Sequence, residues 1–261
     1  MVPHRQAQSR YRRRRSRDGR PGAGLRRARW DEELLEVHGP NVSIENSVAV
    51  TGNTVYFANS GGLLQGWDIT GLATGVEPQR VFRFWLGDDT DASIVADDEG
   101  FLYAAVEYEK ENQRSKEVGQ LVKIDPTAPD DPIVWSVADR DGVPGGLWAT
   151  PAVTDTMVYA STNTGRLLGV DRRSGDIVWE KRFGQPIWSS QVVVDDVLIQ
   201  GDCAGLVHAY DVSDPTVDPP ELWKLELGGC IESTPAVWDG RIIVGTREGR
   251  VHMFADPTRA E

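Results

Sequence analysis

Residues 147–179 read LWATPAVTDTMVYASTNTGRLLGVDRRSGDIVW, and this stretch holds four short apolar segments separated by turn residues. The segments are predicted strands, at Ala149–Val153, Met157–Ser161, Arg166–Val170 and Asp176–Glu180. The residues between them are rich in Asp, Asn, Ser and Gly, which favour tight turns. Strands this short, joined by such turns, indicate an antiparallel β-meander rather than alternating strands and helices.

The same unit occurs five times along the chain. Four copies place an Asp six residues after a Gly, at Gly62–Asp68, Gly119–Asp125, Gly165–Asp171 and Gly205–Asp211. The Gly permits the turn between the second and third strands, and the Asp can accept backbone hydrogen bonds in the next turn. In the fifth copy Ala255 stands where the others have Asp.

Four tryptophans close the first four units, and they are Trp85, Trp135, Trp179 and Trp223. Successive members lie 50, 44 and 44 residues apart. A period of about 40–50 residues with four strands is typical of propeller blades. We therefore predict an all-β chain, a β-propeller of four-stranded antiparallel blades with about five blades present. The four tryptophans are predicted to seal the joints between neighbouring blades.

The fifth unit ends after its third predicted strand. Residues 29–37 resemble the fourth strands, so we expect them to supply the missing strand and close a five-bladed ring. The alternative is that the chain is part of a larger ring. The predicted propeller domain covers residues 30–261.

Residues 1–29 form a separate, Arg-rich segment that we expect to be disordered. Residues 1–30 contain eleven Arg and one acid, which leaves 17 of the 28 basic and 39 of the 40 acidic residues for the rest. The segment is either an arm for nucleic acid or anionic lipid, or not native coding sequence. The remaining chain carries a charge of about −22, which argues against nucleic acid as a partner of the folded body.

Several other classes of site are not indicated. There is no apolar run long enough to span a membrane, and no signal peptide is visible. The two cysteines, Cys203 and Cys230, show no metal-binding spacing. Because they lie in adjacent units on one face, they are either a disulfide or two free thiols. We predict no metal site and no catalytic residue. The charged insertion at 107–118 is predicted to be a solvated hairpin tip.

The candidate binding site is one mouth of the central channel, where the first strand of each blade begins. The residues at or just before the shared Ser/Thr position in the five units are three carboxylates and two tryptophans, namely Glu45, Asp91, Trp148, Trp188 and Glu232. This predicts a ring with an acidic side and an aromatic side. Such a ring suits a cation, a sugar or a basic peptide. The alternative is that the acids are solvated and the tryptophans only pack.

The pattern Asp171-xxx-Gly175-xxx-Trp179, followed by Gly205-xx-His208-Ala-Tyr-Asp211, resembles the PQQ-like repeat. That repeat builds the propellers of quinoprotein dehydrogenases and of BamB-like assembly lipoproteins. The resemblance implies rings of seven or eight blades and an extracytoplasmic location. The dehydrogenases stack pyrroloquinoline quinone on adjacent cysteines, and here no two cysteines are adjacent. No cofactor is therefore expected.

The resulting functional prediction is a non-catalytic binding or scaffold module of the bacterial cell envelope. Its protein or small-molecule ligand would bind at the propeller face, and the chain is expected to be monomeric. One alternative is an enzyme, either a quinoprotein-like oxidoreductase or a propeller hydrolase. Another is the sensor propeller of a larger receptor or kinase.

Overall fold

The structure, a computed structural model, describes residues 32–40, 42–142 and 144–255. Its strands form five successive antiparallel sheets, of which the first four have four strands each and the fifth has three in the described part. Each sheet is a meander in which neighbours in sequence pair with one another. The predicted all-β architecture of about five blades is therefore confirmed.

The strands are numbered along the chain. Sheet 1 contains β1 (Ala49–Thr51), β2 (Thr54–Phe57), β3 (Leu63–Asp68) and β4 (Gln79–Trp85). Sheet 2 contains β5 (Val95–Ala96), β6 (Leu102–Ala105), β8 (Leu121–Ile124) and β9 (Ile133–Val137), and a separate pair is formed by β7 (Glu107–Tyr108) and β10 (Gly145–Gly146). Sheet 3 contains β11 (Ala152–Val153), β12 (Met157–Ser161), β13 (Arg166–Asp171) and β14 (Ile177–Arg182).

Sheet 4 contains β15 (Val192–Val194), β16 (Val197–Gly201), β17 (Leu206–Asp211) and β18 (Glu221–Glu226). Sheet 5 contains β19 (Ala236–Trp238), β20 (Arg241–Thr246) and β21 (Arg250–Ala255). The helical segments are α1 at 32–38, a 3₁₀ turn at Leu72–Thr74 and α2 at Gln113–Val118. No helix in the described residues is long and apolar enough to cross a membrane.

The repeated Gly residues form tight turns and the repeated Asp residues accept backbone hydrogen bonds, as predicted. Gly165 has φ +81°, and a Cβ there would lie 2.5 Å from the carbonyl oxygen of Gln185. The Oδ1 atom of Asp171 accepts the backbone N–H groups of Arg173 at 2.9 Å and Ser174 at 2.7 Å. The same Asx-type turn recurs at the other three sites, Asp68, Asp125 and Asp211.

Three of the closing tryptophans pack between neighbouring sheets. Trp135 is 8% exposed, and its indole N–H donates to the carbonyl of Arg172 in the turn after β13. Trp179 is 6% exposed and belongs to a cluster with Leu198 and Tyr210 of sheet 4. Trp223 is half-buried and packs against the cluster that joins sheets 4 and 5.

Trp85 is displaced from the register of the other three, which corrects the predicted equivalence. Trp179 lies opposite Gly169 in β13, whereas Trp85 lies opposite Leu63, three positions further along. Phe82 holds the equivalent place opposite Gly66 and packs in a cluster with residues of sheet 2. Trp85 instead packs with Leu63 and with Leu34 of α1, and donates its indole N–H to the carbonyl of Gly61.

The predicted closing strand at 29–37 is wrong over its described part. Residues 32–38 are helical, while 29–31 lie outside the described residues. Leu34 is 6% exposed, and Val37 packs against its cluster with Trp85, so the buried positions follow helical i, i+3 spacing. The Glu and Leu residues of this segment also favour a helix. The apolar face of the helix packs against Trp85.

The insertion at 107–118 is also not a solvated tip. Glu107 and Tyr108 form β7 and are 3% and 4% exposed, because the strand pairs with β10. The helix α2 follows, capped by the Asn112 side chain, and its Val118 is fully buried. The insertion therefore packs onto the propeller beside sheets 1 and 2.

The outward face of sheet 5 is not covered by any described residue. Ile243, Val251 and Met253 are 41%, 76% and 62% exposed. The equivalent residues of sheet 4 face sheet 5 and are 3%, 1% and 0% exposed, namely Ile199, Val207 and Ala209. The described part of the chain thus does not close into a five-bladed ring. The predictions about residues 1–29, and the domain boundary at residue 30, lie outside the described residues.

Candidate ligand-binding mouth

A chain of hydroxyl contacts aligns the first strands of neighbouring sheets. The backbone N–H of Ser47 donates to the hydroxyl of Ser93 at 3.1 Å. The N–H of Ser93 donates to Thr150 at 3.0 Å, and that of Thr150 to Ser190 at 3.0 Å. The hydroxyls of Ser93, Thr150 and Ser190 thus each link their own blade to the preceding one. The side chains around these hydroxyls are thereby held in equivalent places at one end of the channel.

A second set of equivalent positions faces the same end, where each second strand finishes. In every unit one residue there donates its N–H to a carbonyl just before the first strand. These residues are Ser60, Glu107, Asn163, Cys203 and Arg247. Two sets of five positions therefore line the mouth, and the sequence prediction used mainly the first set.

The aromatic side of the mouth is a stacked pair. The rings of Trp148 and Trp188 lie 5.6 Å apart between centroids, with an angle of 10° between their planes. The indole N–H of Trp188 donates to Oδ1 of Asn163 at 2.5 Å, and that of Trp148 to the carbonyl of Gly145 at 3.3 Å. Both rings are half-buried, so they remain accessible while their orientation is fixed.

Arg247 and Glu232 extend this stack. The guanidinium of Arg247 lies 5.7 Å from the centre of the Trp188 ring, and its Nε is 3.3 Å from Oε1 of Glu232. Both charged side chains are substantially exposed. The stack therefore runs from Trp148 through Trp188 to a guanidinium held by a carboxylate.

The acidic side contains more carboxylates than the sequence prediction named. Carboxylate oxygens of Asp89, Asp91 and Glu107 all lie within 4.8 Å of one another. Asp91 is exposed, Asp89 is half-buried and Glu107 is 3% exposed. Glu45 is close enough to raise the pKa of Asp91. The structure thus brings Glu45 and Asp91 into one group, while Glu232 lies on the aromatic side with Arg247.

Burial and mutual repulsion raise the pKa values of these carboxyl groups. Burial, followed by the charge of Asp91, raises the pKa of Asp89 to about 7. Burial, with the charges of Asp91 and Asp89, raises the pKa of Glu107 to about 9. The pKa of Asp91 is also raised, by burial and by Glu45. Near neutral pH this group can therefore exchange protons for a bound cation.

Sequence reasoning missed Asp89, Glu107 and Asn163 as mouth residues. The prediction considered only the position of Asp91, and Asp89 lies two residues before it. Glu107 was predicted to lie in a solvated tip because it begins a run of charged residues, which does not have the pattern of a strand. Their place in the repeat could have identified them. Each lies just before a first strand or just after a second strand, and the two strands form a hairpin whose open end brings these positions together.

Cys203 and Cys230 form a disulfide that joins the turn after β16 to the segment before β19. This agrees with the disulfide alternative and not with two free thiols. Asp202 beside it is buried and accepts the N–H groups of Ala204 and Leu206, so it shapes the turn. The disulfide therefore fixes sheet 5 to sheet 4 next to the mouth.

Replacing both cysteines by Ser is expected to lower the free energy of unfolding by about 2–4 kcal/mol, because the bridge closes a loop between residues 27 apart. Urea unfolding monitored by fluorescence measures the change. Reductant should lower the stability of the parent protein and leave the double variant unaltered. Two alkylatable thiols in the unreduced parent protein would contradict the prediction.

The comparisons with known proteins agree with the propeller architecture. A family model described as outer membrane protein assembly factor BamB matches residues 79–217, more than half of the chain. BamB of Salmonella typhimurium is 31% identical over 108 residues, which are 40% of this chain and 26% of that protein. BamB of Burkholderia pseudomallei is 29% identical over 125 residues, 48% of this chain and 31% of that protein.

A quinoprotein ethanol dehydrogenase of Pseudomonas aeruginosa is 30% identical over 90 residues, 33% of this chain and 14% of that protein. The chain thus spans only a minor part of these curated relatives. Among solved structures, BamB from Moraxella catarrhalis gives a TM-score of 0.63 at 18% identity, covering 84% of this chain and 61% of that chain. The extent of the family match shows that this chain belongs to the PQQ-like β-propeller family described as outer membrane protein assembly factor BamB.

Proposed function

We propose that this chain is a non-catalytic propeller module of the bacterial cell envelope that holds a protein partner at the mouth. Its curated relatives are named outer membrane protein assembly factors, which supports a role in holding other polypeptides. The disulfide is consistent with an oxidising compartment outside the cytoplasm. The observation that carries the proposal is the mouth itself, where equivalent positions hold different side chains.

The shared Gly, Asp and Trp residues are explained by the architecture. The stacked Trp148 and Trp188, and the carboxylates of Asp89, Asp91 and Glu107, are not needed to build a blade, because the equivalent positions of other units hold different side chains. Glu45 and Glu232 stand at the position of Trp148, and Ser60 and Asn163 at that of Glu107. Partly exposed aromatic rings beside polar groups are typical of protein-binding surfaces. The mouth is therefore the surface on which binding would depend.

An enzyme is the second candidate, because close carboxyl groups with raised pKa values also occur in active sites. A quinoprotein mechanism lacks its adjacent cysteine pair, since Cys203 and Cys230 are bonded across 27 residues. A hydrolase would need a carboxyl of the acidic side as its acid or base. Glu107→Gln would then abolish turnover of the substrate, whereas a binding module has no turnover to lose.

Photo-cross-linking in intact cells tests the binding role. A photoreactive amino acid is placed at Thr164, in the turn beside Asn163, or at Asp155, in the turn at the other end of sheet 3. Both positions are exposed, and they differ in the end of the channel that they face. We expect a discrete cross-linked polypeptide from position 164 and none from position 155.

The mouth residues provide the specificity control for this experiment. The triple variant Glu45→Ala, Asp91→Ala and Glu232→Ala should weaken the cross-link from position 164, because it removes three of the mouth carboxylates and leaves only Asp89 and Glu107. The protein level and thermal midpoint of the variant are measured alongside. Equal cross-linking from both positions, or no effect of the triple variant, would rule out the mouth as the partner site.

A further inference from the structure

The mouth already contains one bound guanidinium, which is supplied by the chain itself. Arg247 lies over the Trp188 ring and pairs with the carboxylate of Glu232. An aromatic face with a carboxylate at its edge is a common recognition geometry for a cation. This side of the mouth is thus an arginine-binding site that is occupied by the protein's own Arg247.

The other end of the aromatic stack has the same components without a cation. Trp148 stacks on Trp188 with one face, and among the described residues no ring or cation lies on its opposite face. The unit of sheet 2, which precedes that of Trp148, places Asp91 at the equivalent position, with Asp89 and Glu107 beside it. Within the described part of the chain, no ion pair joins these three carboxylates to a basic side chain.

We propose that the face of Trp148 opposite Trp188 and the carboxylates of Asp91 and Asp89 bind an arginine side chain from an extended basic segment of the protein partner. This inference rests on the proposed function and specifies the chemistry of its partner. The guanidinium stacks on the indole and donates paired hydrogen bonds to carboxylate oxygens. It thereby repeats the contact of Arg247 with Trp188 and Glu232 on the opposite side of the stack.

A guanidinium is favoured over a metal ion by the aromatic component. Trp148 offers no ligand atom to a metal, because an indole nitrogen can only donate its N–H, here to the carbonyl of Gly145. Its face attracts a planar cation through the ring quadrupole. An extended strand is favoured over a single amino acid, because the two halves of the mouth lie in different sheets and one strand can reach both.

Binding is coupled to proton release from the acidic side. The charges that raise the pKa of Asp89 come from Asp91, Glu45 and Glu109, and the Glu107 carboxyl also lies beside it. A guanidinium favours their ionised forms and therefore lowers their pKa values on binding. Since the free protein holds the pKa of Asp89 at about 7, affinity is expected to rise as the pH increases from about 6 to about 8.

The test uses the full chain and a synthetic nine-residue peptide with Arg at alternate positions among Gly and Ser. The control peptide has citrulline, which is uncharged but similar in shape, in place of each Arg. Isothermal titration gives the dissociation constants. We expect the Arg peptide to bind at least about fivefold more tightly than the citrulline peptide, and its affinity alone to rise with pH.

Variants locate the site. Trp148→Leu and Asp91→Asn should each weaken binding of the Arg peptide by about fivefold or more. Trp148→Phe should keep most of the affinity, which separates a stacking role from loss of fold. Trp238→Leu is the matched control, because Trp238 is 83% exposed at the other end of sheet 5.

Equal affinity for both peptides would overturn the inference, as would unchanged binding by Trp148→Leu. These outcomes remain distinct from failure of the proposed function. If the cross-link from position 164 is lost in the triple variant while both peptides bind alike, the mouth holds a partner through a different chemistry. If no cross-link forms from position 164, the proposed function itself fails.

Discussion

Arg172→Met is expected to lower the free energy of unfolding by about 3–5 kcal/mol, because it leaves a buried carboxylate without its cation. Arg172 is 8% exposed in the turn after β13. Its Nη2 lies 2.9 Å from Oδ2 of Asp97, whose side chain is 3% exposed, and its Nε donates to the Tyr103 hydroxyl at 3.2 Å. The side chain thus joins sheet 3 to sheet 2.

The acid sensitivity of the protein should change with the same substitution. Burial alone would raise the pKa of Asp97, but hydrogen bonds from Tyr103, from the N–H of Phe101 and from Arg172 outweigh it and hold the pKa below its usual value. A depressed pKa contributes stability above the unfolded-state pKa, and that contribution is lost as the pH falls. Without Arg172 the acid unfolding midpoint should therefore move to higher pH.

Arg173→Met is the matched control, since Arg173 is the exposed neighbour of Arg172. It should change the free energy of unfolding by less than about 0.5 kcal/mol. Urea unfolding at neutral pH and acid titration monitored by tryptophan fluorescence supply both measurements. A loss below about 1 kcal/mol in Arg172→Met would show that the contact between the sheets contributes little.

Trp179→Ala is expected to cost about 3–5 kcal/mol, because it empties the space between sheets 3 and 4. Trp179 lies over Gly169, where a Cβ would come within 2.1 Å of the indole ring, and the ring centre lies 5.8 Å from that of Tyr159. The ring therefore fills a site that the glycine leaves open. Such a site cannot collapse easily, since strands on both sides hold their register.

Trp238→Ala serves as the comparison for Trp179→Ala because Trp238 is 83% exposed. The same change in residue type should there alter the free energy of unfolding by less than about 0.5 kcal/mol. Both variants are measured by urea unfolding followed by circular dichroism. Similar losses in the two variants would mean that the packing of Trp179 between the sheets is not the source of its stabilisation.

The repeat explains why most of the fold was predictable and why three parts were not. The Gly and Asp positions recur because each turn needs a positive φ or a side-chain acceptor, and these needs are local. The helix at 32–38, the buried insertion and the displacement of Trp85 depend on contacts between distant residues. Leu34 and Trp85 share one apolar cluster, and neither residue predicts the other.

The candidate site was also only partly predictable from the sequence. Aligning the five units on their shared Ser/Thr predicted that one position of the repeat holds Glu45, Asp91, Trp148, Trp188 and Glu232. Whether they bind a ligand stays a prediction. The sequence could not show that Trp148 stacks on Trp188, or that Glu107 joins Asp89 and Asp91, because those contacts cross from one sheet to the next.

By itself, then, the sequence determined the blade, since strand length, turn chemistry and the spacing of Gly, Asp and Trp act within about 45 residues of chain. Only the tertiary structure decided which side chains of the mouth contact one another. The packing angle between blades brings side chains from different units together, and burial there sets their charge. Burial, followed by the charges of Asp91 and Asp89, which are more than ten residues away in the sequence, raises the pKa of Glu107 to about 9.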